Sequence, residues 1–300
     1  MRAGRFVLGW SVLGILGFTL GCTSNGVKEK EVPKKIDVIR YLNDLDSAGI
    51  DIENDSVLFQ YGYQAIYFGK DEAGNALIDY AFSRMDSVTA DDYRHWSVQN
   101  TKNGNYAKAI ELLEKAMELN PQETSRYYGW VLLYYYRDYH KALSILNLHD
   151  DYTPNFDDAP MGEDIHYLKG LCYMQLLDYN KALSEFDRYI THTTESHGEK
   201  FVNVYTFVQK GRCLEIVGKP KKAIQAFEKA IELYDKCSEA YYFMGLAQLK
   251  MGEKELACEN FNTALQLVNK GYKSEDNYVE YFHEIYAPQI KQSIQLNCTH

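Results

Sequence analysis

Two neighbouring stretches of this chain align without a gap. From Val204 the sequence reads VYTFVQKGRCLEIVGKPKKAIQAFEKAIELYDKC, and from Ser238 it reads SEAYYFMGLAQLKMGEKELACENFNTALQLVNKG. Five landmarks recur 34 residues apart: Gly211 and Gly245, Gly218 and Gly252, Ala223 and Ala257, Phe227 and Phe261, Ala230 and Ala264. A unit of this length cannot bury its apolar face alone and must stack on a neighbour, so the period predicts an array rather than one closed core. The landmarks fit two antiparallel helices. Gly211, Gly245 and the alanines let the helices approach, Phe227 and Phe261 fill the space between them, and Gly218 and Gly252 fall at the turn.

Similar patterns lie upstream. DIHYLKGLCYMQLLDYNKALSEFDRYI places Gly170, Tyr173, Tyr179, Ala182 and Phe186 in the same relation, with seven extra residues before the next unit, assigned to a loop around THTTESH. YRHWSVQNTKNGNYAKAIELLEKAMELNP supplies Trp96, Gly104, Tyr106, Ala109, Ala116 and a closing Pro121 that stops a helix. SRYYGWVLLYYYRDYHKALSILNLHD fits through Tyr139 and Ala142, with Trp130 read in the place of the packing glycine and a short second helix. Residues 56–87, aligned through Ala76, leave open whether a degenerate first unit stands here. These units resemble tetratricopeptide repeats. The resemblance implies an all-α, right-handed α-solenoid over 91–271, preceded by N-terminal helices in 39–90 and closed over 272–300 by a capping helix that Pro288 interrupts.

In that family the first helix of each unit lines a concave face. Carried onto this chain, the inward positions are Tyr127, Tyr134, Tyr135, Tyr167, Leu171, Met174, Tyr205, Arg212, Tyr242 and Leu246, an aromatic and apolar wall suited to a peptide or protein segment. Arg94, Lys102 and Arg212 are too scattered to form the carboxylate clamp of the chaperone-binding members. The resemblance implies a non-catalytic scaffold with no cofactor.

The opening, MRAGRFVLGWSVLGILGFTLGC, has a positive start at Arg2 and Arg5 and an apolar run of about 15 residues, shorter than the ~20 a spanning helix needs. Its end, T-L-G-C, resembles the lipobox of bacterial lipoproteins, with Thr19 where that motif carries Leu. The resemblance implies a signal peptide over 1–21, lipid on Cys22, a polar tether over 22–38, and, since Thr23 rather than Asp follows, an outer-membrane address. Removing Arg2 and Arg5 takes the net charge from −10 to −12, which argues against nucleic acid.

Cys172, Cys213, Cys237, Cys258 and Cys298 show no paired metal spacing and read as small buried residues. His192, Glu195 and His197 match no helical metal motif, so no metal site is predicted. Asp157, Asp158, Glu163 and Asp164 read as a solvated acidic loop. The expectation is a membrane-anchored adaptor for a protein or peptide, with a homodimer left open. The alternative is a surface lipoprotein that captures a glycan or peptide for import.

Overall fold

The computed structural model describes residues 38–154 and 156–298. All regular elements among them are helical. A short α1 (Val38–Ser47) precedes six antiparallel hairpins. These are α2 (Asp55–Tyr67) with α3 (Asp71–Arg84), α4 (Ala90–Lys102) with α5 (Tyr106–Leu119), and α6 (Pro121–Val131) with α7 (Tyr139–Asp151). Then come α8 (Ile165–Gln175) with α9 (Tyr179–Ser196), α10 (Val204–Ile216) with α11 (Pro220–Leu233), and α12 (Ser238–Lys250) with α13 (Lys254–Asn269). A last helix, α14 (Ala287–Asn297), packs on α13. This is the all-α solenoid that the period requires.

Five of the six hairpins are set by a close approach at a glycine. A Cβ placed on Gly211 would lie 2.7 Å from Phe227 Cζ, and one on Gly245 would lie 2.7 Å from Phe261 Cε1. Both rings are fully buried, and burying a phenylalanine stabilises by about 1.5–3 kcal/mol. Gly170 bears the same relation to Phe186. Small residue and ring stand 16 positions apart in all three pairs, a spacing that only a fixed turn can hold.

The turn is fixed seven positions after the small residue. Gly218 (φ 76°) and Gly252 (φ 80°) adopt the left-handed conformation there. After Gly218, Lys219 N–H donates back to Leu214 O at 2.8 Å and satisfies an end carbonyl of α10. Caps start the second helices: Asp138 accepts from Lys141 N–H, Asp178 accepts from Lys181 N–H, and Pro220 occupies the first turn of α11.

Four upstream readings change. The first hairpin aligns through Gly74, not Ala76: a Cβ on Gly62 would lie 2.8 Å from Gly74 O, and one on Gly74 would lie 2.9 Å from Ile66 N. In the third hairpin Gly129, not Trp130, faces the second helix, where its Cβ would meet Leu146 Cδ2 at 2.8 Å. Residues Leu132–Tyr136 form a π-helical turn, which inserts one residue and moves Leu146 to 17 positions after the glycine. Its second helix, α7, is a full 13 residues. The seven extra residues before α10 do not loop out at THTTESH. They extend α9 to 18 residues and add a short 3-10 turn, Glu199–Phe201.

At the C-terminal end, 272–286 are not helical. Pro288 opens α14 rather than interrupting a longer helix, because its missing N–H and fixed φ suit a first turn. Cys258 and Cys298 form a disulfide between α13 and the end of α14, so these two are not free apolar residues; Cys172, Cys213 and Cys237 are free and buried. The signal, lipidation and tether expectations for 1–37 lie outside the described residues, among which no helix is long and apolar enough to cross a membrane.

Two glycine substitutions separate the two constraints. Gly74→Ala must push apart two backbones and is expected to cost about 2–3 kcal/mol. Gly218→Ala meets open space and is expected to cost about 1 kcal/mol through its left-handed backbone alone. Urea unfolding of the two variants checks the order.

A groove along the first helices

The first helices α6, α8, α10 and α12, with the π-helical turn after α6, carry the residues projected inward from the sequence. Several of these are load in the core rather than open wall. Tyr127, Tyr134, Tyr167, Leu171, Met174 and Tyr242 are all buried, whereas Tyr135, Tyr205, Arg212 and Leu246 are partly exposed. Tyr167 packs on Phe186 (ring centroids 6.1 Å). Tyr134 donates from its hydroxyl to Glu163 Oε1 at 2.9 Å, and Trp130 donates to Glu163 Oε2 at 2.8 Å. Burial pushes the Glu163 carboxyl up despite these two donors.

What covers this face is the chain itself. After α13, residues 272–286 leave the last hairpin, run out along the first helices and return to α14. The outward limb begins where Ser274 N–H donates to Glu239 Oε1 of α12 at 2.6 Å. It reaches α4, where the Lys102 ammonium lies 4.6 Å from the Tyr278 ring centroid. At the far end Arg137 donates to Glu280 O and sits 4.3 Å from the Phe282 ring centroid. The return limb lays Phe282 against Tyr134 (5.7 Å) and Tyr139 (6.0 Å), while Arg212 donates to Phe282 O. His283 then stacks on Tyr205 at 4.0 Å, and Ile285 is buried with Tyr242 of α12.

The strap also holds its own shape. Asp276 Oδ1 accepts from Tyr278 N–H (2.8 Å) and Val279 N–H (3.1 Å), and Glu284 Oε1 accepts from Tyr281 N–H at 2.7 Å. Tyr286 donates to Glu280 and Glu284 at 2.7 and 3.0 Å. Val279, His283 and Ile285 are buried, while Tyr278, Glu280 and Tyr286 face solvent. The sequence carried a sign of this: Val279, Tyr281, His283 and Ile285 alternate at a period of two, which an extended segment needs and a helix does not.

Arg137, Tyr139, Gln209 and Glu239 were not among the residues projected from the family. Arg137 has a visible signal. It stands where four other hairpins carry a turn glycine and the fourth hairpin carries Leu177 (φ 63°), and like Leu177 it keeps the left-handed backbone (φ 55°), at a cost of about 1–2 kcal/mol for a side-chain-bearing residue. At that site its guanidinium grips the strap.

The acidic loop is not solvated as the sequence suggested, because each carboxylate has a protein partner. His166, fully buried, bridges Glu185 Oε2 (2.6 Å) and Asp157 Oδ1 (3.1 Å). Burial alone would lower its pKa, and the two carboxylates more than reverse that, leaving it raised. His192 lies on α9, not on a loop, and pairs with Asp157 at 2.9 Å. Asp164 caps α8 through His166 N–H at 2.8 Å. Among the described residues no group of three or more His, Cys, Asp or Glu is placed to hold a metal.

A tetratricopeptide-repeat family model matches residues 100–123, 204–237 and 238–267. Among solved structures, MamA from Desulfovibrio magneticus RS-1 aligns with a TM-score of 0.51 at 18% identity, covering 62% of this chain and 98% of that one. A double mutant of MamA RS-1 gives 0.50 at 18% identity over the same shares. YrrB, described as a tetratricopeptide-repeat protein with an unusual peptide-binding site, aligns with a TM-score of 0.46 at 19% identity over 63% of this chain and 91% of its own. At these identities the likeness is one of fold. No curated protein matches the chain.

The buried His283 gives the strap a pH signature. Burial, and then the nearby Arg212, lower its pKa from 6.5 to about 3, and the other groups facing it are the uncharged Tyr205, Tyr281 and Gln209. The seated strap therefore holds a neutral imidazole, whereas the released strap takes up a proton below about pH 6.5. The seated state has its full stability above pH 6.5 and loses about 1.4 kcal/mol per unit as pH falls from there toward 3. The difference in urea-unfolding free energy between the native chain and His283→Gln, followed from pH 7 to 4, is expected to show that slope.

Proposed function

Since the chain is a tetratricopeptide-repeat protein, we propose that it is a non-catalytic adaptor that holds a protein segment along the first helices of its array. The observation that carries this reading is the strap. The face grips a non-helical stretch of polypeptide by two arginine hydrogen bonds to backbone carbonyls, at Glu280 and Phe282, and by ring contacts at Phe282 and His283. Carbonyl recognition does not depend on the bound sequence, and the aromatic walls add contact area at low side-chain entropy. A glycan-capture role has less support, since two of the face's arginines donate to peptide carbonyls.

The proposal includes the anchor. Lipid on Cys22, followed by the tether over 22–38, would hold the array at a bacterial envelope membrane, on the outer-membrane side if the residue after the cysteine sorts it. Confinement to a surface raises the effective concentration of a partner confined there too. The opening sequence and the acidic balance support this reading.

Photo-crosslinking in cells tests the adaptor role, with probes at Tyr135 and Leu246 and a control at the exposed Glu228 of α11. A discrete protein adduct from the first two sites alone is expected. No adduct from either, with helicity intact, would remove the groove from consideration. For the anchor, Cys22→Ser is expected to move the protein from the membrane to the soluble fraction, and a variant that stayed on the membrane would contradict lipidation.

A further inference from the structure

From the way the strap is held, we infer that residues 276–286 are an intramolecular stand-in for the partner: the groove accepts an extended, aromatic-rich protein segment in place of the strap, which lifts away as a loop closed at both ends. The inference rests on the adaptor reading and adds to it the chemistry of the bound segment and the step that admits it.

Closure comes first. The strap leaves α13 at Gly271 (φ 85°) and re-enters at α14, which packs on α13 and is joined to it by Cys258–Cys298. Both ends therefore stay on the last hairpin when the middle lifts. Release breaks the strap's own contacts but no repeat interface, and return is an intramolecular step at an effective concentration of order mM.

The occupant's chemistry follows from the contacts. Arg137 and Arg212 read main-chain carbonyls, which any extended segment supplies. The ring slots are selective. One is framed by Tyr134, Tyr139 and the Arg137 guanidinium and takes Phe282; the other is the face of Tyr205 and takes His283. The matching partner segment is thus extended and carries two adjacent ring-bearing residues.

The strap is also an imperfect occupant. His283 Nε2 is buried with no hydrogen-bond partner. A polar nitrogen buried in this way carries a desolvation penalty. A phenyl ring on Tyr205 would carry no such penalty and would give up only the long 3.4 Å contact between Gln209 Nε2 and His283 Nδ1, so a segment with Phe at that place should bind severalfold more tightly. An external partner can in this way displace a tethered competitor.

The test uses the full chain and two fluorescent peptides, one with the sequence of residues 276–286 and one with H283F. Anisotropy is expected to show weak binding to the native chain and at least about tenfold tighter binding to Tyr281→Ala/Phe282→Ala, whose strap is weakened. The H283F peptide should bind severalfold better than its parent, and adding Arg212→Ala should weaken both peptides about tenfold by removing the hydrogen bond to the carbonyl of residue 282. A helical double variant that binds no better than the native chain overturns the inference. Should the double variant fail to fold, hydrogen exchange on the native chain decides: with millimolar H283F peptide, amides 279–285 are expected to exchange at least about tenfold faster while α10 and α11 stay unchanged, and unaltered strap protection overturns the inference. Failure of these experiments alongside a discrete adduct at Tyr135 would leave the adaptor standing and remove only strap exchange. Peptide exchange without any cellular adduct would do the reverse.

Discussion

The contact between a residue with no side chain and a buried ring, repeated along the array, sets where everything else can lie. Gly170, Gly211 and Gly245 bring their helices close enough for Phe186, Phe227 and Phe261 to fill the space between. With this distance fixed, the left-handed turn seven residues later returns the second helix at one angle, and the first helices of successive hairpins fall side by side. The groove is a consequence of that stacking. No residue in it needed to be placed individually, which is how a run of otherwise ordinary tyrosines becomes a wall.

The third hairpin departs from the pattern, and the departure bears on the site. The π-helical turn at Leu132–Tyr136 adds one residue between Gly129 and Leu146, and the left-handed position then falls on Arg137 instead of glycine. Two local irregularities, each unfavourable taken alone, put Tyr134 against Phe282 and Arg137 over the same ring. Leu177 holds the same left-handed position in the fourth hairpin, so what distinguishes the third is the side chain that this backbone carries to the strap. That group is a guanidinium at the far end of the strap.

The fold was legible in the sequence because repeats write the same packing constraint many times, and Gly, Ala and Phe at fixed spacing have few other meanings. Alignment failed where the small residue changed identity or spacing: Gly74 stands in an alanine's place, and Gly129 is shifted by the π turn. The face was legible but its state was not. Tyr134, Tyr205, Arg212 and Tyr242 belong to it, yet an inward position says nothing of what lies on it. The strap was hidden because NYVEYFHEIYAPQIKQSIQL has enough apolar residues for a helix throughout. Only its two-residue alternation and the Pro288 start signal separate an extended half from a helical one. The disulfide was unreadable for a plainer reason: 40 residues separate Cys258 from Cys298, and no spacing rule joins them.

Tyr205 and His283 are 78 positions apart and meet only if the strap lies in the groove. A double-mutant cycle with Tyr205→Ala and His283→Ala, read by urea unfolding at pH 7.5 or above (roughly a unit beyond the released imidazole's pKa), measures that contact directly. A seated strap predicts a coupling of about 0.5–1.5 kcal/mol, as for stacked rings. Additivity within about 0.3 kcal/mol would mean that the two residues do not touch, and that the groove is open.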